Sequence, residues 1–327
     1  MRISYSDLKV EFKRILRRLS FNEEKAELCA TIFADNSLDG IYSHGINRFP
    51  AFVQYVKDGL IDVDAEPTLE DRNGLIERWD GHCGPGMYNA TLAMDRAIHL
   101  AKENGMGAVA LRNTTHWMRG GTYGWQAAAA GCIGICFTNT IANMPPWGGT
   151  QPRIGNNPLV ISIPHEKGHV VLDMAMSQFS YGKLYQYDQA NQELPVYGGY
   201  DDDGFLTTNA TAIIQSGRVL PIGYWKGSAL SLVLDMLLTS VTGGLSVQKI
   251  SEKTKETGIS QFFLCLNQSI DNEQLMDEII RYTKSSELMN PSEQIRYPGE
   301  SILEIRHRNQ SEGIPVNDQA WAELLDM

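Results

Sequence analysis

The segment 39–50 combines residue types that could carry out acid–base chemistry on a carboxylic acid. His44 has the side chain whose ordinary pKa lies nearest neutral pH, so it can give or take a proton. Arg48 can bind a carboxylate through two parallel hydrogen bonds. Ser43 adds a hydroxyl, and Gly45 would let the backbone approach a ligand closely. A 2-oxo or 2-hydroxy acid requires this pairing of proton donor and carboxylate-binding arginine, although a helix start with a surface histidine and a solvated arginine has the same pattern.

Two further groups of residues could contribute to such a site. His116 and Arg119 share a loop with Trp117 and two glycines, which would suit an anion or a polyol but also an ordinary surface loop. Asp173 ends an apolar strand, and strand ends are where α/β enzymes place catalytic groups. An aspartate beside His44 would favour the imidazolium form and keep the proton donor charged.

Composition excludes several classes of function. The chain has 327 residues, 43% hydrophobic, and a net charge of −11 without a basic stripe, which argues against nucleic acid and anionic membrane surfaces. No apolar run approaches the ~18 residues of a bilayer span, and charges interrupt the N-terminus, which is therefore not a secretory signal. Five cysteines without a CxxC pair predict reduced thiols and a cytoplasmic location.

The common signature motifs are absent. There is no GxGxxG after a strand, no phosphate-binding GxxxxGK[ST], no HExxH and no GxSxG elbow. His165 and His169 lie four residues apart, but across a predicted hairpin turn, so we predict no metal site. Motifs alone therefore give no reason to expect a nucleotide.

The elements that must position these residues predict an α/β protein. Helical periodicity occupies the N-terminal region as far as Lys57, and helix-to-strand steps follow at 89–111 and 122–138. The sequence predicts a hairpin of two strands at 159–163 and 170–174. It predicts irregular structure at 186–222 and an apolar helix at 228–238. The loop 139–157 is long enough to suggest a function.

The motifs resemble, in chain order, those of the malate/L-lactate/sulfolactate dehydrogenase family, whose members lack a Rossmann fold. The resemblance rests on Ser-His-Gly-Ile-Asn-Arg at 43–48, His-Trp-Met-Arg-Gly-Gly at 116–121, Met-Pro-Pro-Trp-Gly at 144–148, Gly-Asn-Asn-Pro at 155–158, Leu-Asp-Met at 172–174, Gly-Tyr-Trp-Lys-Gly-Ser at 223–228 and Arg-Tyr-Pro-Gly-Glu at 296–300. It extends over essentially the whole chain.

This resemblance implies an L-sulfolactate dehydrogenase-like α/β fold, with a mixed central sheet flanked by helices and with helical N- and C-terminal parts. Residues 1–115 together with 300–327 would form the helical, substrate-side and dimer-forming part, and 116–299 the α/β cofactor-binding part. Family members are typically homodimers. The resemblance also implies a small sugar-acid substrate, with no nucleic-acid or membrane partner.

The resemblance assigns roles residue by residue. His44 matches the proton donor, Arg48 a substrate carboxylate contact and His116 a substrate-pocket residue. From their residue types we add Asp173, as a group that orients or charges His44, and Ser43 and Arg119 as substrate-binding candidates. The matched cofactor positions are His169, Val170, Val171, Leu172, Asp173, Met174, Ala175, Trp225, Lys226, Gly299, Glu300 and Ser301. The implied cofactor is NAD, with NADH favoured over NADPH.

The implied activity is NAD(P)H-dependent reduction of the C2 carbonyl of a 2-oxo sugar acid. Several motifs favour the branch of the family that converts 2,3-diketo-L-gulonate to 3-dehydro-L-gulonate. Malate, lactate, ureidoglycolate and cyclic imines remain alternative substrates within the family. A non-catalytic sugar-acid binding protein is the alternative from another class.

Overall fold

The computed structural model describes residues 1–253, 255–270 and 272–327. Its strands are β1 (Arg2–Ile3), β2 (Thr68–Asn73), β3 (Ile76–Asp80), β4 (Met106–Thr114), β5 (Cys132–Thr138), β6 (Leu159–Ile163), β7 (Val170–Met174), β8 (Gly199–Tyr200), β9 (Leu206–Thr207), β10 (Arg218–Val219), β11 (Ile259–Asn267) and β12 (Ile314–Pro315). Its helices are α1 (Tyr5–Arg18), α2 (Glu23–Leu38), α3 (Phe49–Lys57), α4 (Gly86–Asn104), α5 (Gly121–Ala129), α6 (Tyr181–Gln189), α7 (Ala210–Ser216), α8 (Trp225–Thr242), α9 (Val247–Ser251), α10 (Glu273–Lys284), α11 (Glu300–Glu312) and α12 (Asp318–Asp326). A 3₁₀ turn, Tyr42–His44, lies between α2 and α3.

A seven-stranded mixed sheet with the order β2-β3-β4-β11-β5-β6-β7 forms the centre of the molecule. Strands β3 and β4 are parallel, and the other neighbouring pairs are antiparallel. Phe263 on β11 faces α4 and α5, whereas its neighbour Phe262 packs with residues of α8 on the opposite face. The predicted mixed sheet flanked by helices is confirmed.

Helix α5 lies unusually close to strands β6 and β7. A Cβ atom added to Gly124 would lie 2.8 Å from Cγ1 of Val160 and 3.0 Å from Cγ1 of Val171. The backbone N–H of Gly121, at the start of α5, donates to Oδ2 of Asp173 at 2.8 Å. The small residues of this helix therefore fix β7, which is an edge strand, against the body of the protein.

The N-terminal helices form a second core that anchors the start of α3. Phe49, the first residue of α3, packs between Phe12 and Phe33, with ring centroids 4.4 and 4.9 Å away. The side chain of Ser4 caps α1 by accepting the backbone N–H of Asp7. Strand β12 pairs with β1, so the two ends of the chain meet here.

The segment 186–222 is not irregular, as the sequence had suggested. It contains the end of α6, helix α7 and a small antiparallel sheet of the order β10-β8-β9. Each of these strands has two residues, which is too short for alternation to be visible in the sequence. A cap was the available signal, since Asn209 accepts the backbone N–H of Ala212 at the start of α7.

The predicted boundary between residues 115 and 116 falls within the molecule's central sheet. Strands β2, β3 and β4 come from the part that was predicted to be helical, yet they pair into one sheet with β11 and β5 to β7. The division into a substrate-side part and a cofactor part stays a prediction. Among the described residues, no helix combines the length and the apolar character that crossing a bilayer would take.

Candidate active site

The 3₁₀ turn that carries Ser43 and His44 is held tightly against helix α2. Nδ2 of Asn36 donates to the backbone oxygen of His44 at 3.0 Å. A Cβ added to Gly45 would lie 2.3 Å from Oγ and 2.8 Å from the backbone nitrogen of Ser37. The close approach that we predicted at Gly45 is therefore to α2, and not to a ligand.

The rings of His44 and His116 stack on each other. Their centroids are 5.9 Å apart and their planes are inclined by 28°. Nδ1 of His44 lies 3.1 Å from Oγ of Ser43, and Nδ1 of His116 accepts the backbone N–H of Met118 at 2.9 Å. We call His44 and His116 the histidine stack. In each ring Nδ1 has a protein partner, which leaves Nε2 for a substrate.

The surroundings keep the histidine stack uncharged. Burial lowers the pKa of His44 to about 4, and the charges of Arg48 and Arg119 act in the same direction. Burial also lowers the pKa of His116 well below its usual range, with Arg48 and His44 adding to the effect. Both rings are therefore neutral at pH 7. The imidazolium that we expected at His44 is not the form favoured without a bound acid, because the ring is buried and its charged neighbours are arginines rather than a carboxylate.

Arg48 immediately precedes α3, where its neighbour Phe49 is anchored in the second core. Within the described part of the chain, its guanidinium has no ion pair and no side-chain hydrogen bond. Its charge nevertheless acts on the pKa values of the histidine stack and of Glu256. An unpaired guanidinium beside two neutral histidines could bind an anion, and its planar fork matches a carboxylate.

Arg119 is engaged by protein carboxylates instead. Its Nη1 lies 2.6 Å from Oδ2 of the buried Asp39, which also receives Nε and Nη2 of Arg306 at 2.6 and 2.8 Å. Its Nε lies 3.7 Å from Oδ2 of Asp173. The predicted role of Asp173 therefore differs from what the structure shows. Asp173 accepts the N–H of Gly121 and lies at ion-pair distance from Arg119 rather than from His44. Arg119 uses Nη1 for Asp39, and its contact with sugar hydroxyls stays a prediction.

The predicted cofactor residues 169–175 form β7 and its two flanking positions: His169, Val170, Val171, Leu172, Asp173, Met174 and Ala175. Because β7 is an edge strand, its outer edge has no neighbouring strand. The segment 298–301 meets the start of β7, where the N–H of Val171 donates to the oxygen of Pro298 at 2.9 Å. The segment before Trp225 meets its end, where the N–H of Ile222 donates to the oxygen of Met176 at 2.8 Å. The three predicted cofactor segments therefore lie along one edge.

Two helices begin beside this edge. Helix α8 starts at Trp225 and Lys226, which are both exposed, and α11 starts at Glu300 and Ser301. Gly299 precedes α11 with φ +98°, and a Cβ there would lie 3.1 Å from the oxygen of His169. The free N–H groups and partial positive charge of a helix start favour phosphate. The chemistry of this edge thus fits a pyrophosphate-containing nicotinamide cofactor.

Some residues of the site gave no recognisable pattern in the sequence. Asp39 and Arg306 hold Arg119 through contacts between segments that lie far apart in the chain. Glu256 approaches Arg48 from the loop before β11. Residue types at a single stretch predict none of these partners. Metal-binding clusters of three or more His, Cys, Asp or Glu side chains are absent from the described residues.

Comparison with known proteins connects this geometry to a family. The model of the malate/L-lactate dehydrogenase family matches residues 3–325. The chain is 46% identical to the 2,3-diketo-L-gulonate reductase of Haemophilus influenzae, and 45% identical to that of an Escherichia coli strain (O6:K15:H31), with 99% of each chain covered in both cases. Its structure is similar to the sulfolactate dehydrogenase of Methanocaldococcus jannaschii, with a TM-score of 0.89, 28% identity, and 100% of this chain and 96% of the other covered.

Proposed function

Since this chain belongs to the malate/L-lactate dehydrogenase family, a family of oxidoreductases, we propose that it reduces the C2 carbonyl of a 2-oxo sugar acid. The substrate that we propose is 2,3-diketo-L-gulonate, and the product is 3-dehydro-L-gulonate. The names of its relatives support this choice. The observation that carries the proposal is the unpaired Arg48 beside the histidine stack, because a 2-oxo acid needs one group for its carboxylate and another for its carbonyl oxygen.

In this proposal Arg48 binds the C1 carboxylate and thereby fixes the orientation of the neighbouring carbonyl. His44 donates a proton from Nε2 to the carbonyl oxygen, a step that contributes typically about 10²–10⁴-fold. Ser43 keeps its contact with Nδ1 in both protonation states, because a hydroxyl can donate to the neutral nitrogen and accept from the protonated one. His116 stays neutral and offers Nε2–H to the C3 carbonyl or a hydroxyl.

The neutral state of His44 connects substrate binding to proton transfer. Arg48 is one of the causes of the low pKa of His44. A carboxylate bound to Arg48 offsets that charge and adds a negative one, so it raises the pKa of the ring. The proton donor is therefore charged only when an acid is in place, which suits a reductase that must discriminate among carbonyl compounds.

For the cofactor we propose NADH. When bound, the reduced nicotinamide supplies a hydride to C2. The residues that would hold it are those along the outer edge of β7, together with Lys226 as a point charge toward a phosphate. Glu300, at the start of α11, brings a negative charge to this edge, where it pairs with Lys284. A carboxylate there disfavours the extra phosphate of NADPH and therefore favours NADH.

The test is a reduction assay that follows the absorbance of NADH or NADPH with 2,3-diketo-L-gulonate, pyruvate and oxaloacetate. We expect rapid loss of NADH with the sugar acid and little with the simple acids. His44→Ala should lower turnover by at least about 10²-fold with NADH still bound, whereas His99→Ala, at an exposed position of α4, should not. Activity with pyruvate or oxaloacetate alone would show that the substrate is a simple 2-oxo acid and not the sugar acid. Binding of the sugar acid without binding or oxidation of NADH would indicate a non-catalytic binding protein.

Arg48→Lys is the matched test of the carboxylate contact. Lysine keeps the charge but loses the two-pronged geometry. We expect a large rise in KM for the sugar acid and a smaller change in turnover. An unchanged KM would contradict the assignment of Arg48.

We also propose that the enzyme is a cytoplasmic homodimer that contacts its partner copy through α8. The exposed face of α8 is apolar over about two turns, with Leu232 51%, Val233 54% and Met236 62% exposed. A two-fold contact pairs a surface with itself, so an uncharged face avoids repulsion between like charges in a chain of net charge −11. The dimer contact would then lie in residues 116–299, whereas the sequence had suggested residues 1–115 together with 300–327. Light scattering of Val233→Glu should show monomers, and Leu275→Glu on the exposed side of α10 should remain dimeric.

A cytoplasmic location agrees with the cysteines, which are all free.

A further inference from the structure

A carboxylate without a side-chain partner lies near Arg48, and the mechanism above does not use it. Glu256 belongs to the loop between α9 and β11. Its Oε2 accepts the backbone N–H of Ile141 at 2.9 Å. Within the described residues, neither a side-chain donor nor a cation lies within bonding distance of this carboxylate. Its second oxygen, Oε1, is therefore available to a ligand.

Glu256 and Arg48 influence each other but are not an ion pair. Burial raises the pKa of Glu256, whereas the N–H of Ile141 and the charge of Arg48 oppose that rise and favour the carboxylate form. Both Arg48 and Glu256 also act on the pKa of Tyr55, which burial chiefly raises. Lys255 Nζ lies 5.9 Å from the ring centroid of Tyr55, which places this loop against α3. The ion pairs of the described residues nevertheless do not include Arg48 with Glu256, so more than 4.0 Å separates the two charges. The loop of Glu256 thus lies against α3, the helix that Arg48 precedes, and the two side chains carry opposite charges without pairing.

We propose that Glu256 determines substrate specificity, by accepting hydrogen bonds from the hydroxyl groups of the sugar-acid tail and by repelling acids that carry a second negative charge. This inference rests on the proposed function, since it assumes that Arg48 holds the C1 carboxylate. A carboxylate is an acceptor with about four lone-pair sites, so Oε1 suits neighbouring hydroxyls. A second carboxylate or a sulfonate at the same point would face the like charge of a half-buried Glu256, where water screens the repulsion less than at an exposed position.

Glu256→Gln is the sharpest variant, because it removes the charge and keeps the shape and an oxygen for the N–H of Ile141. We expect kcat/KM for 2,3-diketo-L-gulonate to fall about ten- to hundredfold, the value of a hydrogen bond to a charged group. The value for oxaloacetate, a dianion, should rise by about tenfold or more. Pyruvate, which has no tail, should change less than either.

Glu252→Gln is the control, because Glu252 is exposed and pairs only with Lys249. It should change none of the three values. An equal change for all three acids in Glu256→Gln, with a lower Tm, would show that Glu256 has a structural role only and would overturn the proposal.

Binding separates this proposal from the proposed function. The rise in Tm with L-gulonate, a monoanion with a hydroxylated tail, and with L-malate, a dianion, measures the binding of each kind of acid without turnover. If the protein reduces no acid but binds gulonate better than malate, and Glu256→Gln reverses that preference, the specificity role stands and the reductase assignment fails. If the unaltered protein binds malate as well as gulonate, the role of Glu256 is refuted whatever the activity.

Discussion

A bound carboxylate should raise the pKa of His44, and Arg48 should be the residue that transmits the effect. The pKa of about 4 lies well below the ordinary value of 6.5, which corresponds to about 3 kcal/mol against the charged ring. At pH 7 the pKa is three units below the pH, so about one molecule in a thousand carries the proton. Each unit by which an acid raises this pKa increases that fraction about tenfold.

The perturbation has two parts, addition of L-gulonate and substitution of Arg48→Gln. L-gulonate carries the C1 carboxylate but no 2-oxo group, so it can bind without being reduced. In the unaltered protein it should raise the pKa of His44. Arg48→Gln should raise the pKa of His44 without any acid, because one of its two neighbouring cations is removed. Added gulonate should then have little further effect.

The assay is a pH titration of ¹⁵N-labelled histidine by NMR, with the signals assigned from His44→Gln and His116→Gln. Arg308→Gln, at an exposed position of α11, is the control for removal of a positive charge. Two results would refute the reasoning. His44 could titrate near 6.5 in the protein without added acid, or gulonate could raise its pKa equally in the presence and absence of Arg48.

Three other predictions concern stability and the cofactor. Asp39→Asn should cost about 3–5 kcal/mol in urea unfolding, because it leaves the buried Arg119 and the neighbouring Arg306 without their shared carboxylate. Acid should destabilise the protein through the histidine stack. The pKa of each ring is lower in the folded protein than its unfolded value of about 6.5, so the unfolded chain binds more protons. Stability is therefore lost as the pH falls from about 6.5 toward 4. His44 alone should lower the free energy of unfolding by about 3 kcal/mol between pH 7 and pH 4, measured by urea unfolding. Gly299→Ala should weaken NADH binding by about tenfold, measured by fluorescence titration, because a Cβ at φ +98° meets the oxygen of His169 and displaces the segment from β7.

Each of these predictions has a matched comparison. Asp318→Asn removes an exposed carboxylate, and a cost equal to that of Asp39→Asn would contradict the buried network. A variant with glutamine at both positions of the histidine stack should lose less stability in acid than the unaltered protein. Gly313 also has positive φ, and its added Cβ would lie 3.2 Å from the oxygen of Ile3 at the far end of α11. An equal loss of NADH affinity in Gly313→Ala would show that Gly299→Ala acts through general strain.

Local patterns in the sequence predicted the regular parts of the fold well. The hairpin of β6 and β7 has the predicted bounds, because apolar runs on both sides of a Gly-containing turn leave one choice of register. Helix α2 begins after Asn22, whose side chain accepts the backbone N–H of Lys25, as an asparagine at a helix start commonly does. Patterns of this kind fail in the small sheet of β8, β9 and β10, whose two-residue strands depend on tertiary contacts.

The site divides in the same way between local and distant information. The arrangement of Ser43, His44 and Arg48 is local, so the chemistry of the segment could be proposed from residue types alone. Arg119 pairs with Asp39, which lies 80 positions earlier in the chain. Such a pairing has no sequence spacing that would reveal it. The same limitation hid Glu256, whose neighbours lie on α3 and on the loop after β5.

The two arginines of the predicted substrate pocket show how the protein separates structure from binding. Arg119 pairs with Asp39 and lies 3.7 Å from Asp173, so protein carboxylates already balance its charge. Arg48 has no carboxylate partner among the residues that the structure describes, and its charge adds to the effect of burial in lowering the pKa values of His44 and His116. Binding of an acid therefore neutralises Arg48 and, at the same time, favours the protonated form of His44. A carbonyl compound without the C1 carboxylate could occupy the same cleft, yet His44 would remain neutral there. We therefore infer that recognition of the carboxylate and activation of the proton donor are one interaction, which restricts the reaction to 2-oxo acids without a separate gating element.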